Sequence, residues 1–221
     1  MGATPGAFAE YVRAAAEQAV SLGPHIGRLG ALIEPLAVGL HTVAMGHIEA
    51  GDKVVVLGGG NIGLAVTVWA RRLGAREVVV SDPISSRRDA AAGFGATGAH
   101  DPTSDPPPRD FDVVFECVGS TGMVQAAIDA AATRGRVVIA GLCMTPDTVV
   151  PVTALLKEVE VRFAVYYRGS EFAAAAALLE AGGIDADALV TGQVGLDGIT
   201  GAFERLSTST DDRKILVVPN G

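Results

Sequence analysis

From Gly51 onward, short and uniformly apolar runs alternate with longer stretches of helical spacing. Val54–Leu57 is entirely apolar and leads into a glycine turn, Gly58–Gly63. Ile62–Leu73 carries its apolar residues at helical spacing and stops at Gly74. Val78–Ser81 is a second apolar run, closed by Asp82. Ser85–Phe94 predicts a helix ended by Gly95, and Val113–Glu116 a third strand. A helix from Met123 to about Ala132 and a fourth strand, Val137–Ala140, follow, the latter ended by Gly141. Thr153–Lys157 predicts a short helix and Val161–Val165 a further strand. Phe172–Ala181 and Ile199–Leu206 predict helices, and Ile215–Val218 a last strand. A strand with one wet face alternates apolar and polar residues; these strands do not, so both faces must be covered. Repeated strand–helix–strand units of this kind give the α/β class: a doubly wound parallel sheet with helices on both sides and right-handed crossovers.

Ahead of Gly51 the pattern is weaker. Ala7–Val12 (AFAEYV) alternates and predicts a short strand, and Ala19–Leu22 another. Glu34–Pro35 opens a helix through Leu36–Gly46, with proline at an allowed early position and an acid favoured by the helix dipole. Between Asp101 and Asp110 the run DPTSDPPPRD reads as a surface loop with no assigned function.

Bulk properties narrow the partners. The net charge is −8 and no cluster of Lys and Arg stands out, which argues against nucleic acid or an anionic membrane surface. No apolar run approaches the roughly 18 residues of a membrane span. Met1–Phe8 lacks the basic and apolar regions of a secretory leader, so the cytosol is the expected location. The two cysteines, Cys117 and Cys143, lie far apart and frame neither a disulfide scaffold nor a four-thiolate zinc lobe.

Gly58-Gly59-Gly60-Asn61-Ile62-Gly63 fits G-x-G-x-x-G, between a predicted strand and a predicted helix. Gly58 permits the tight turn, Gly60 lets a pyrophosphate approach the backbone, and Gly63 lets the helix pack on the sheet. The helix N-terminus offers free N–H groups, Asn61 and Ile62 among them, and a positive dipole end. Asp82 closes the second strand, where a carboxylate accepts the adenosine ribose hydroxyls and repels a 2′-phosphate. Strand, loop, helix and acid together make this a Rossmann site for NAD in preference to NADP. The plainer reading of Asp82 is a cap for the turn before Pro83. Arg87 and Arg88 fit either adenine stacking or a 2′-phosphate, and otherwise a solvated helix face.

Beyond this loop, Gly6–Val12, Leu32–Thr42 (LIEPLAVGLHT), Gly51–Gly63, Phe111–Gly119 (FDVVFECVG), Gly135–Gly141 and Lys214–Val217 stand in the order and spacing of one superfamily. The chain resembles the medium-chain dehydrogenases, in their zinc-dependent alcohol, polyol and threonine dehydrogenase branch. The resemblance implies NAD-linked hydride transfer to or from a small alcohol, assisted by zinc. It divides the chain into 1–34, a remnant of a GroES-like, β-rich catalytic domain; 35–165, the NAD-binding domain; and 166–221, a segment returning to the catalytic domain. It implies a homodimer or homotetramer. It brings Cys117, Val118 and Gly119 to the adenine side, Ala140, Gly141 and Leu142 to the nicotinamide ribose, and Ala164 and Tyr166 to the carboxamide. Arg213 or Lys214 would contact the pyrophosphate.

By the same resemblance Glu34, the acid of Glu-Pro-Leu, sits beside the catalytic zinc; otherwise it is a helix-entry acid. One carboxylate cannot hold zinc, which needs about three protein ligands at a catalytic site. The family's Cys and His-Glu ligands have no counterpart in this sequence, which resembles an N-terminally shortened member. His41 stands two helical turns after Glu34 and reads better as a packed helix residue than as a site residue. Cys117 reads as a small buried hydrophobe. Two other functions compete: a non-catalytic dinucleotide-binding module, alone or with a partner chain, and an adenosylmethionine-dependent methyltransferase. The methyltransferase lacks reason for Glu-Pro-Leu and for Lys-Ile-Leu-Val.

Overall fold

The computed structural model describes residues 6–208 and 211–219. Most of Met1–Phe8, the stretch read above for a leader, lies outside them. Six strands form one sheet in the order β3-β2-β1-β4-β5-β6, parallel throughout. They are β1 (Lys53–Leu57), β2 (Glu77–Ser81), β3 (Gly98–His100), β4 (Phe111–Glu116), β5 (Ala131–Ile139) and β6 (Glu160–Phe163). The order reverses between β1 and β4, and the C-terminal ends of those strands open the crevice where doubly wound sheets bind ligands.

Central strands are buried on both faces, as their unbroken apolar runs require. Val54, Val55 and Val56 are fully buried, as are Val113, Val114 and Phe115. One core, with Val54, Val56, Val113 and Phe115, packs under α1 (Ile33–Met45), α2 (Asn61–Arg72) and α6 (Gly169–Glu180). The second, with Val55, Val114 and Ile139, packs under α4 (Met123–Ala130). Trp69 anchors α2 to α1 by donating from its indole to the Leu36 carbonyl at 2.8 Å.

Several boundaries differ from expectation. α3 (Ser85–Ala91) passes into a single 3-10 turn, Ala92–Phe94, before Gly95 at φ +97° ends it. α4 stops at Ala130, where α5 (Pro151–Lys157) supplies a lysine to its end. The Lys157 ammonium donates to the carbonyls of Asp129 at 2.8 Å, Ala131 at 2.9 Å and Ile128 at 3.3 Å. Ile128 and Asp129 lie in the last turn of α4, whose carbonyls have no intrahelical donor, and the dipole favours a cation there. Lys157→Met is expected to destabilise the chain by about 1.5–3 kcal/mol, the range for hydrogen bonds to a charged group, read by urea denaturation. An unchanged midpoint would show that water satisfies those carbonyls equally well.

The expected strands at Ala7–Val12 and Ala19–Leu22 are absent: both segments are irregular, with 3-10 turns at Ala16–Gln18 and Gly27–Leu32. An alternating pattern makes a strand only beside a partner for its amides. Among the described residues none lies alongside, and Tyr11 is 90% exposed. At the other end α7 (Ile199–Thr208) lies between β7 (Gly192–Val194) and β8 (Ile215–Val217), which pair in parallel as a separate two-stranded sheet.

Candidate functional site

At the end of β1, Gly58 turns the chain with φ +98°, and its N–H donates to Ser81 O at 2.8 Å. A Cβ on Gly63 would overlap the Gly58 carbonyl oxygen and lie 2.9 Å from its carbon. The loop therefore closes directly onto the first turn of α2, which only glycine at 63 permits. A Cβ on Gly60 would meet nothing within 4 Å, so the loop's outer side is open. The N–H groups of Asn61, Ile62 and Gly63 begin the helix and have no intrahelical acceptor, by the geometry of an N-terminus. The side-chain oxygen of Asn61 is buried there without a hydrogen-bond partner. Open space and free N–H donors at one helix start fit a pyrophosphate.

Asp82 follows β2 and is 3% exposed. Its Oδ2 accepts from Gly59 N–H at 2.8 Å, and its Oδ1 from Ile84 N–H at 2.9 Å. The acid thus caps the turn before α3 and also pins the glycine loop. Two further lone-pair positions stay available for ribose hydroxyls, since a carboxylate offers about four. Arg87 does not lie on a solvated helix face. It is 3.7 Å from Asp82 Oδ2, and it donates to the Asp212 carbonyl at 3.4 Å. Arg88 bonds the Asp82 carbonyl at 2.7 Å and pairs with Asp101 at 2.8 Å.

At the end of β4 the strand motif hides an acid that sequence reasoning passed over. Glu116 is 1% exposed, and its Oε1 accepts from Val118 N–H at 2.6 Å and Gly119 N–H at 2.8 Å. Its own carbonyl accepts from Ala140 and Gly141 N–H at 2.8 and 3.0 Å. One residue thus fixes the turns after β4 and β5 against each other, and Gly119 and Gly141 touch there with no room for a Cβ on either. The signal was an acid closing an otherwise apolar strand. Cys117, beside it, packs against the main core; burial, and then the Glu116 charge, push its thiol pKa above the usual range. The Cys117 thiol therefore stays protonated at neutral pH.

Val118 is 48% exposed, Leu142 79% and Tyr166 78%, so these three side chains face outward at the strand ends. Ala164 N–H continues the β5–β6 pairing to Ile139 O at 2.9 Å, and Tyr166 takes a left-handed turn at φ +61°. Val118 lines a largely apolar cavity of about 540 Å³, with Gly58, Ser81, Pro83, Met123 and Pro107 among its other walls. The sheet thus brings residues of the glycine loop, Asp82, Cys117–Gly119, Ala140–Leu142 and Ala164–Tyr166 to one edge.

Other expected residues make contacts of their own. Arg213, next to the Asp212 whose carbonyl meets Arg87, donates to the Ala188 carbonyl at 3.0 Å. His41 is a packed residue, its Nδ1 3.1 Å from both oxygens of Glu171 on α6. Glu34 is exposed at the start of α1. Its charge and, more strongly, burial raise the pKa of the Tyr167 hydroxyl. Among the described residues no three His, Cys, Asp or Glu side chains gather to hold a metal. The donors present therefore do not make a zinc site, and Glu34 supplies one carboxylate at most.

Residues 61–181, more than half of the chain, match the family model of the zinc-binding dehydrogenases. The chain belongs to that family. It is 33% identical to 2-dehydro-3-deoxy-L-galactonate 5-dehydrogenase of Pseudoalteromonas atlantica, over 98% of this chain and 66% of that enzyme. The crystal structure of 2R,3R-butanediol dehydrogenase from Bacillus subtilis superposes with a TM-score of 0.81 at 31% identity, over 91% of this chain and 60% of the other. A zinc-binding dehydrogenase from Sinorhizobium meliloti, solved bound to NADP, superposes with a TM-score of 0.77 at 31% identity, over 86% and 59%. This zinc-binding dehydrogenase chain spans about half to two thirds of the length of the curated relatives it matches. The six-stranded Rossmann sheet and membership of the medium-chain, polyol dehydrogenase-like branch agree with the sequence expectation. No helix among the described residues is long and apolar enough to cross a membrane.

Proposed function

We propose that this chain is the NAD-binding part of an oxidoreductase that moves hydride between an alcohol or polyol and nicotinamide. The observation that carries the reading is the glycine loop locked to its acid, Gly59 N–H on Asp82, beneath an open helix start. The amides of Asn61, Ile62 and Gly63 would hold the pyrophosphate, and Asp82 and Arg87 the adenosine ribose. The cavity beside Val118 would seat the adenine. Ala140–Leu142 and Ala164–Tyr166 would border the nicotinamide half. Bound dinucleotide supplies the carbon that accepts or gives up the hydride. In this reading 35–165 is the NAD-binding domain, and 1–34 and 166–221 belong with the catalytic domain. The chain's acidity speaks against nucleic acid and membrane partners, and the proposed location is the cytoplasm.

NAD is preferred over NADP because a 2′-phosphate would meet the like charge of a buried carboxylate that Gly59 and Ile84 N–H hold in place. Calorimetric titration with NAD, NADP and adenosylmethionine tests this, with NAD expected to bind at least about tenfold tighter than NADP. Binding of adenosylmethionine without NAD would overturn the reading. A homodimer is also proposed, through the β6 edge. Among the described residues that strand is paired on one side alone, and Phe163, Val165, Leu155 and Leu156 stand 65–74% exposed at or near it. Apolar side chains grouped at an open strand edge favour association. Sedimentation velocity should give a dimer mass; a monomer at all concentrations would contradict it.

A further inference from the structure

We propose that His100 is a positioning residue for the adenine end of the site, a latch holding the Pro-rich loop 101–110 in place as the pocket's outer wall. The inference rests on the dinucleotide reading above and assigns a role to a loop that carried none.

His100 ends β3 and is 8% exposed. Its ring is bonded on both sides. Nε2 lies 2.9 Å from the Pro106 carbonyl and Nδ1 2.8 Å from Ser81 Oγ. A carbonyl can only accept, so Nε2 carries the proton, and in the neutral ring Nδ1 accepts from the Ser81 hydroxyl. One side chain therefore joins β2, β3 and the loop.

The two halves of the loop are secured differently. The first half ties itself down. Asp101 Oδ1 accepts from Thr103 N–H at 2.9 Å and Thr103 Oγ at 2.6 Å, and Asp105 Oδ2 accepts from Asp101 N–H at 2.8 Å. The Asp101 carboxylate also pairs with Arg88, which reaches back to the carbonyl of Asp82. The second half contains Pro106, Pro107 and Pro108, which have no N–H to offer. Carbonyls are the main-chain handles left to the three prolines, and His100 takes that of Pro106. A proline run is stiff, so fixing one end sets the position of the rest.

What the loop walls is the 540 Å³ cavity. Pro107, Pro108 and Arg109 form part of its lining, Val118 and Met123 another part, and Gly58 and Ser81 belong to it as well. Gly58 opens the phosphate loop and Ser81 directly precedes Asp82, so the cavity adjoins the positions proposed for the pyrophosphate and ribose. Apolar walls with a few polar groups suit a flat heteroaromatic base.

Calorimetry of the full chain with NAD, with AMP and with nicotinamide mononucleotide tests the latch. Gln at position 100 can still donate to Pro106 O; Leu cannot. His100→Leu should weaken both NAD and AMP about tenfold, the scale of losing one well-made anchor, and leave nicotinamide mononucleotide within about twofold. His100→Gln should recover most of that loss. If His100→Leu does not fold, Pro107→Gly carries the test at an exposed position, with the same selective loss of AMP expected. Equal weakening of all three ligands, unchanged AMP binding, or a Gln variant no better than Leu would overturn the latch. A wild-type chain that binds neither NAD nor AMP would instead overturn the dinucleotide reading itself.

Discussion

Gly63→Ala is expected to cost the chain both stability and dinucleotide binding, whereas Gly60→Ala costs binding alone. At position 63 a methyl group would overlap the Gly58 carbonyl oxygen, so loop and helix must separate. Overpacking of this kind costs about 1–3 kcal/mol of stability. The displaced loop would also carry Asn61 and Ile62 away from the phosphate position, and NAD affinity should fall at least about a hundredfold. At position 60 the backbone is extended, with φ −74°, and an added methyl group meets nothing. Gly60→Ala should therefore melt like the wild type and still bind NAD at least about tenfold more weakly, because the methyl group takes the space of the pyrophosphate. Thermal unfolding and calorimetry on the two variants measure both effects. If Gly60→Ala binds NAD as tightly as the wild type, the open space above Gly60 is not the phosphate site.

Asp82→Ala should be the second large effect, and it separates the cofactor role of the acid from its capping role. Removing the carboxylate strands Gly59 N–H and Ile84 N–H in a site that is 3% exposed in the wild type, and leaves Arg87 without its nearby countercharge. Each buried donor left unpaired costs about 1–3 kcal/mol, so a loss of about 2–4 kcal/mol is expected if neighbouring water relieves part of it. If the acid also binds the ribose, NAD affinity drops about tenfold or more while NADP loses less, and the preference between the two narrows. Loss of stability with an unchanged NAD-to-NADP ratio would leave Asp82 a turn cap only.

The sequence made the central sheet readable because its strands are buried on both faces. Val54–Leu57 and Val113–Phe115 are buried and apolar throughout, and a stretch of helical spacing follows each. β3 was not readable. It is three residues, Gly98–His100, at the sheet edge, and its pairing to β2 is set by tertiary position rather than by pattern. The reverse error came at Ala7–Val12, where good alternation found no neighbouring strand. The glycine loop and Asp82 were legible because phosphate chemistry fixes residue type and spacing together. Glu116 was not, because a strand-end acid looks the same in sequence whether it meets water or organises two turns. Lys157 acts across 26 to 29 residues of chain and His100 across 6, through main-chain carbonyls that leave no trace in the sequence.

The central claim is that the helix start after β1 receives a dinucleotide pyrophosphate. The most direct measurement is an amide NMR titration of the isotope-labelled chain with NAD. The account predicts that the largest shifts fall on the N–H groups of Gly59–Gly63, with Ile84 and Val118 following at the same saturation. Saturable binding with shifts confined to other strand ends, or an unperturbed Asn61–Gly63 segment, would contradict it.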